Sequence, residues 1–190
     1  MTRVGCYPGS FDPPTIAHIA IATAARDQCN LDVVDLVLST VVLGKEDRHY
    51  RLAKRLAEVE RCITPHAAWL RVVVTTHQLL ADIADGYAVV ILGADKWEQI
   101  QQPRWYGGSP SARDAALARL PVAAIAPRPP HPLPSPSEQT RILLLPDERE
   151  WHFVSSTAVR NGAEHFHAAS PQTVERTTPT SEQPGDTHDC

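Results

Sequence analysis

Short apolar, β-branched runs alternate with helix-forming stretches along most of this chain, and no other feature constrains its fold as strongly. The strand-like runs are Arg3–Tyr7, Val33–Ser39, Leu70–Thr75, Ala88–Leu92, Val122–Ala126 and Ile142–Leu145. Helices are predicted between and after them, over Ile16–Cys29, Tyr50–Ile63, His77–Ala84, Ala112–Leu120 and Ser155–His167. The Tyr50–Ile63 stretch is the clearest, because Leu52, Leu56, Val59 and Ile63 recur at helical spacing with Arg and Glu between them. Strands that alternate with helices predict an α/β fold, a doubly wound parallel sheet of about five or six strands with helices on both faces. Ligands of such sheets sit beyond the carboxyl ends of the strands, so residues that directly follow strands are the place to look for chemistry.

The chain has 190 residues, 43% hydrophobic and 21% charged, which suits one domain with a proper core rather than a disordered chain. That domain is expected over 1–169. Beyond it, 170–190 is rich in Pro, Thr, Ser, Glu and Gln and predicts a disordered tail without a chemical role. A net charge of −4 argues against a bulk nucleic-acid binder, while leaving room for a few well-placed cations around a small phosphorylated ligand. No apolar run approaches the roughly 20 residues of a membrane helix, and the start lacks the pattern of a secretory signal. Cys6, Cys29, Cys62 and Cys190 form no C-x-x-C pair, so free thiols in a reducing cytoplasm are expected, with no metal site in the protein itself.

The stretch Gly9-Ser10-Phe11-Asp12-Pro13-Pro14-Thr15-Ile16-Ala17-His18 joins the first strand to the first helix. Glycine lets backbone come close to a ligand, and the free N–H groups of a helix start favour an anion. Thr15 and His18 lie three residues apart, on one face of the first turn, where both can donate hydrogen bonds to phosphate oxygens. The same residues also suit a plain turn and helix cap. Near the other end, Val154-Ser155-Ser156-Thr157-Ala158-Val159-Arg160 opens the last predicted helix. Ser155, Ser156 and Thr157 are capping types, and with Arg160 one turn on they also make a second anion site.

Together, in this order, the two stretches resemble the signatures of the nucleotidylyltransferase superfamily: the G-x-F-D-P-x-(H/T)-x-G-H motif and the I-S-S-T-x-(I/V)-R motif. Ala17 departs from the first, standing where glycine is usual. Thr157 and Arg160 make the chain more similar to the nicotinate and nicotinamide mononucleotide adenylyltransferases than to the phosphopantetheine branch. The resemblance spans roughly residues 3 to 168 and implies a Rossmann-like fold. It implies that Gly9, Ser10, Phe11, His18, Gly93, Asp95, Ser155, Ser156, Thr157 and Arg160 bind the nucleotide. Gly93-Ala94-Asp95 resembles that branch's ribose-holding element, although Asp95 also suits a helix N-cap. Trp105, with Trp97 as a second candidate, stands where the branch lays a tryptophan against the nicotinate ring. Lys45 stands where a lysine often reaches the reacting phosphate, and Arg55-Leu56-Ala57 is also similar to the family.

The expected reaction transfers AMP from ATP to a small phosphorylated acceptor, nicotinate mononucleotide in first place and phosphopantetheine or another small phosphate in second, with pyrophosphate released. His18, Thr15 and Lys45 are the expected catalytic groups, Mg²⁺ is expected on the triphosphate, and the oligomeric state is left open, a homo-oligomer included. A nucleotide-binding homologue without turnover is the reading from another class, motivated by Ala17. The Val41–Arg48 loop lacks the Pro-rich pattern associated with the nicotinate branch.

Overall fold

A computed structural model describes residues 1–40, 52–135, 141–147 and 149–169. Lys45, the Val41–Arg48 loop and the 170–190 tail therefore lie outside the described residues. The strands are β1 (Val4–Pro8), β2 (Val33–Ser39), β3 (Leu70–Thr75), β4 (Val89–Gly93), β5 (Val122–Ala126) and β6 (Ile142–Leu144). They form one sheet in the order β3-β2-β1-β4-β5-β6, and every pairing is parallel. The helices are α1 (Ile16–Cys29), α2 (Leu52–Ile63), α3 (Leu80–Ile83), α4 (Ala94–Ile100), α5 (Pro110–Ala118) and α6 (Ser156–Arg160). This is the doubly wound, Rossmann-like architecture that the alternation predicts. Among the described residues no helix is long and apolar enough to cross a membrane.

The pleat sorts the core into two layers. Val34, Leu36 and Leu38 of β2 and Val89 and Ile91 of β4 pack with Ile19, Ala22 and Ala25 of α1 and Val59 and Ile63 of α2. Their strand neighbours Cys6, Val37, Val90 and Leu92 turn to the other face, against Leu80 of α3 and Ala94 and Ile100 of α4. Small residues on α1 let it lie close to the sheet, and its chain leaves through Asn30 in the left-handed region at φ 50°. Cys6, Cys29 and Cys62 are buried free thiols. Burial pushes Cys6 up to about 12 and Cys62 to about 11, so neither supplies a thiolate.

Two helices are shorter than their sequences predict. The helix expected from His77 begins only at Leu80. The His77 N–H donates to Thr75 Oγ1 (3.2 Å) and the His77 carbonyl accepts from Ser39 Oγ (2.7 Å), which ties that residue to the strand ends. The helix expected over Ser155–His167 stops at Arg160, because Gly162 takes a φ of 105° that no helix accommodates. A single helical turn of the tighter kind follows at Glu164–Phe166. Helix α4 and the short turn at Pro103–Tyr106 fill a stretch the sequence left almost without assignment.

One buried carboxylate stands out in the sheet. Asp35 is 3% exposed, and it accepts from Arg71 Nε (2.8 Å) and Nη2 (3.0 Å) and from the Tyr87 hydroxyl (3.1 Å). These bonds join β2, β3 and the approach to β4 on the side opposite α1. Replacing Asp35 by Ala is expected to lower stability by about 1–3 kcal/mol, since it strips donors of their partner. Urea unfolding measures this, and a change below about 0.5 kcal/mol would show that the network is worth no more than an exposed ion pair.

Candidate active site

All six strands point the same way, so their carboxyl ends open onto one edge, and the strand order reverses between β1 and β4. A cavity of about 460 Å³ lies there, within the range of small-ligand sites. Its wall carries Gly9, Ser10, Phe11 and His18 from the first motif, Gly93 and Asp95 after β4, Trp105, and Ser155, Ser156, Thr157 and Arg160 from the second. Of the other implied residues, Thr15 is not on this wall, and Lys45 is outside the described residues.

The first motif leaves β1 with the Gly9 N–H bonded to the Val37 carbonyl (3.1 Å). Phe11 then turns back at φ 42°, so its ring lies against Gly9. A side chain at Gly9 would come within 2.7 Å of the Phe11 ring. Phe11 is 1% exposed and meets Tyr7 and His18 edge-on, with centroids 5.5 and 5.0 Å apart. It therefore works from beneath, as the floor on which the loop and the imidazole rest.

His18 is fixed by Thr15. The Thr15 N–H donates to His18 Nδ1 (2.9 Å), and Thr15 Oγ1 lies 2.8 Å from the same nitrogen. A backbone N–H only donates, so Nδ1 holds a lone pair and Nε2 carries the proton. Thr15 itself is fully buried. It stands behind His18 and orients it, so the motif's two donors do not share one ligand. Burial, followed by the positive charge of Arg128, lowers His18 from its ordinary 6.5 to about 4. At neutral pH the ring is an uncharged Nε2–H donor on the cavity wall.

The second motif is stitched to the first. Ser155 caps α6 by accepting from the Ala158 N–H (3.0 Å). Ser156 Oγ donates to the Pro13 carbonyl (2.7 Å), and Arg160 donates to the Asp12 carbonyl and to Thr157 Oγ1 (2.9 Å). With five residues α6 brings little helix field to an anion, so the side chains must supply it. On the other side Arg55 of α2, 2% exposed, donates to the Ser10 carbonyl (3.1 Å).

Trp105 lines the cavity, whereas Trp97, a residue of α4, packs against the core cluster and is absent from the lining. The Arg104 guanidinium lies 4.8 Å from the Trp105 ring, and the indole N–H is buried with no hydrogen-bond partner among the described residues. Asp95 sits over Gly93, where any side chain would collide with its carboxylate. The buried Ala17 methyl, 1% exposed, is absent from the cavity wall.

Sequence reasoning missed Arg128, Lys96, Gln99 and Tyr106, which also face the cavity. Arg128 follows β5 by two residues, inside a proline-dense stretch that reads as a surface connection. The signal was its place, a cation just past a strand's carboxyl end. The Lys96 ammonium donates to Gln99 Oε1 (2.6 Å).

A Rossmann-like sheet with the two signature motifs interlocked at its switch point is the arrangement of a nucleotidylyltransferase-type protein. A family model described as cytidylyltransferase-like matches residues 6–162, and the chain belongs to that family. Within it, the resemblance is to nicotinate-nucleotide adenylyltransferases. The chain is 27% identical over 172 residues to a probable nicotinate-nucleotide adenylyltransferase of Methylibium petroleiphilum, covering 83% of this chain and 77% of that protein. It is 30% identical over 153 residues to that of Bordetella petrii, covering 73% and 71%. The match to the Bordetella pertussis relative is 37% identical over 68 residues and spans only 34% of that protein's length. The fold is shared with Plasmodium falciparum nicotinic acid mononucleotide adenylyltransferase complexed with NaAD (TM-score 0.60, 15% identity, 85% of this chain and 83% of that one). The same enzyme complexed with APC gives a TM-score of 0.55 at 14% identity, over 92% and 94% of the two chains.

The depressed His18 has a thermodynamic consequence. Between pH 6.5 and about 4 the unfolded chain takes up a proton on this ring that the folded chain refuses. His18 thus contributes fully to stability above pH 6.5, and that contribution is lost as pH falls towards 4. The fall in unfolding free energy from pH 7 to 4.5 is expected to be shallower in His18→Asn than in the wild type. Equal slopes in the two proteins would mean that the ring titrates normally.

Proposed function

We propose that this protein transfers AMP from ATP to nicotinate mononucleotide, releasing pyrophosphate and forming the dinucleotide precursor of NAD. The observation that carries this is the His18 Nε2–H, fixed by Thr15 on the wall of a cavity shared by both phosphate motifs. An oxygen of the acceptor phosphate attacks the α-phosphorus of ATP, and the bond to the bridging oxygen of the β-phosphate breaks. The attacking phosphate is already anionic, so no protein nucleophile or strong base is required, and catalysis is positioning plus charge stabilisation. His18 donates to the oxygens of the α- and β-phosphates. The loop from Gly9 to Phe11 brings backbone close to the same phosphates. Thr157 and Arg160 hold the departing pyrophosphate, with Ser155 and Ser156 shaping their end of the cavity. Asp95 accepts from ribose hydroxyls. Lys45, after β2, is the further cation for the reacting phosphate.

The donor set fits Mg²⁺ carried on the triphosphate. Asp95 is the single carboxylate among the described lining residues, and no group of three His, Cys, Asp or Glu converges among the described residues. When bound, the ion would neutralise phosphate charge. Trp105 offers a ring face to the acceptor, and Lys96 and Arg128 place positive charge on the same wall. That charge supports an acid-bearing acceptor over its amide. A homologue without turnover is disfavoured by Ala17, whose methyl is turned away from the cavity.

Pyrophosphate release with Mg²⁺, either ATP or CTP, and nicotinate mononucleotide, nicotinamide mononucleotide or phosphopantetheine tests the proposal. Turnover is expected with ATP and nicotinate mononucleotide, at several-fold higher kcat/KM than with the amide. Faster turnover with CTP or with phosphopantetheine would overturn the assignment. His18→Ala is expected to lower kcat by about 10²–10³, and Arg128→Ala to raise KM for the acceptor more than it changes kcat.

A further inference from the structure

The segment after the last short helical turn crosses the start of α1. His167 forms an antiparallel bridge with Thr15, and the Ala168 N–H donates to the Pro14 carbonyl (3.2 Å). The His167 ring is held on both nitrogens. Nδ1 accepts from the Ala169 N–H (3.0 Å), so Nε2 carries the proton and donates to Glu58 Oε1 (3.0 Å) on α2. Both side chains are largely buried, at 18% and 22% exposure. Glu58 lies three residues after Arg55, on the same face of α2. Helix α2 therefore grips the first motif at two points: Arg55 on the Ser10 carbonyl, and Glu58, through His167, at Pro14 and Thr15.

Thr15 is also the residue whose N–H sets the His18 tautomer. We infer that His167, held by Glu58, is a positioning residue: by bracing Thr15 it keeps His18 in place with its proton on Nε2. The inference rests on the reading of His18 as a phosphate donor given above. His167 lies beyond residues 6–162, which the family model matches. Without the brace, Thr15 gains freedom to move off Nδ1. The ring then samples both tautomers, and the Nε2–H faces phosphate for only part of the time. Such a change lowers the rate of the bound complex more than it weakens binding.

The test uses the full chain with ¹⁵N-labelled histidine and the variants Glu58→Ala, Glu58→Gln and His167→Ala. Ring nitrogen shifts of His18 report the tautomer whether or not the protein turns over. The wild type is expected to show a single Nε2–H form, and Glu58→Ala and His167→Ala a mixture. In those two kcat falls about tenfold with a smaller change in KM for ATP. Glu58→Gln, whose amide oxygen still accepts, stays close to the wild type. If His167→Ala does not fold, Glu58→Ala decides alone, because it removes the acceptor that anchors the His167 ring while leaving the bridging residue itself unchanged. Unchanged His18 shifts in Glu58→Ala, or Glu58→Gln as damaged as Glu58→Ala, would overturn the inference. A tautomer change in a protein that releases no pyrophosphate with any acceptor would uphold the brace and sink the proposed reaction instead.

Discussion

The contacts that join residues 156 and 160 to the carbonyls of Pro13 and Asp12 are what the candidate site depends on. They span separations of 143 and 148 residues, so nearly the whole sheet must be built before they can form. Once made, they turn a loop after the first strand and a short helix after the last strand into adjoining parts of one cavity wall. A parallel sheet makes this possible, because it delivers every strand's carboxyl end to the same edge. Arg55 from α2 holds the same loop from a third side. The loop that would meet phosphate is thus held by its backbone carbonyls at Ser10, Asp12 and Pro13.

Its electrostatics follow a consistent logic. The His18 imidazole on the cavity wall is kept neutral by burial and by Arg128. Positive charge is instead placed on Lys96, Arg128 and Arg160, against Asp95 as the single carboxylate among the described lining residues. An anionic ligand is attracted by the cations and oriented by a neutral donor that gives up no solvation of its own charge on binding. That arrangement suits a reaction in which charge moves from one phosphate to the next and no proton has to be removed from the nucleophile.

Much of this was legible before the structure. The strand–helix alternation carried the fold, and the two motifs carried the cavity's walls, because both are local signals. The order of strands is not local, and the interlocking of the motifs depends on it. His77 reads as the start of a helix until Ser39 and Thr75 capture its backbone. Arg128 is hidden by the prolines around it, and its importance lies only in where β5 ends. Thr15 looked like a second phosphate donor because spacing places it beside His18. Burial, which spacing does not report, turns it into the support behind that ring.

The central claim is that the two motifs form one nucleotide site with His18 at its wall. Calorimetric titration of ATP and Mg²⁺ into the full chain tests it most directly, with His18→Ala and Arg160→Ala alongside. One-to-one binding by the wild type, weakened in both variants, is the result the account predicts. No binding to the folded wild type, or binding equal in all three proteins, would contradict it.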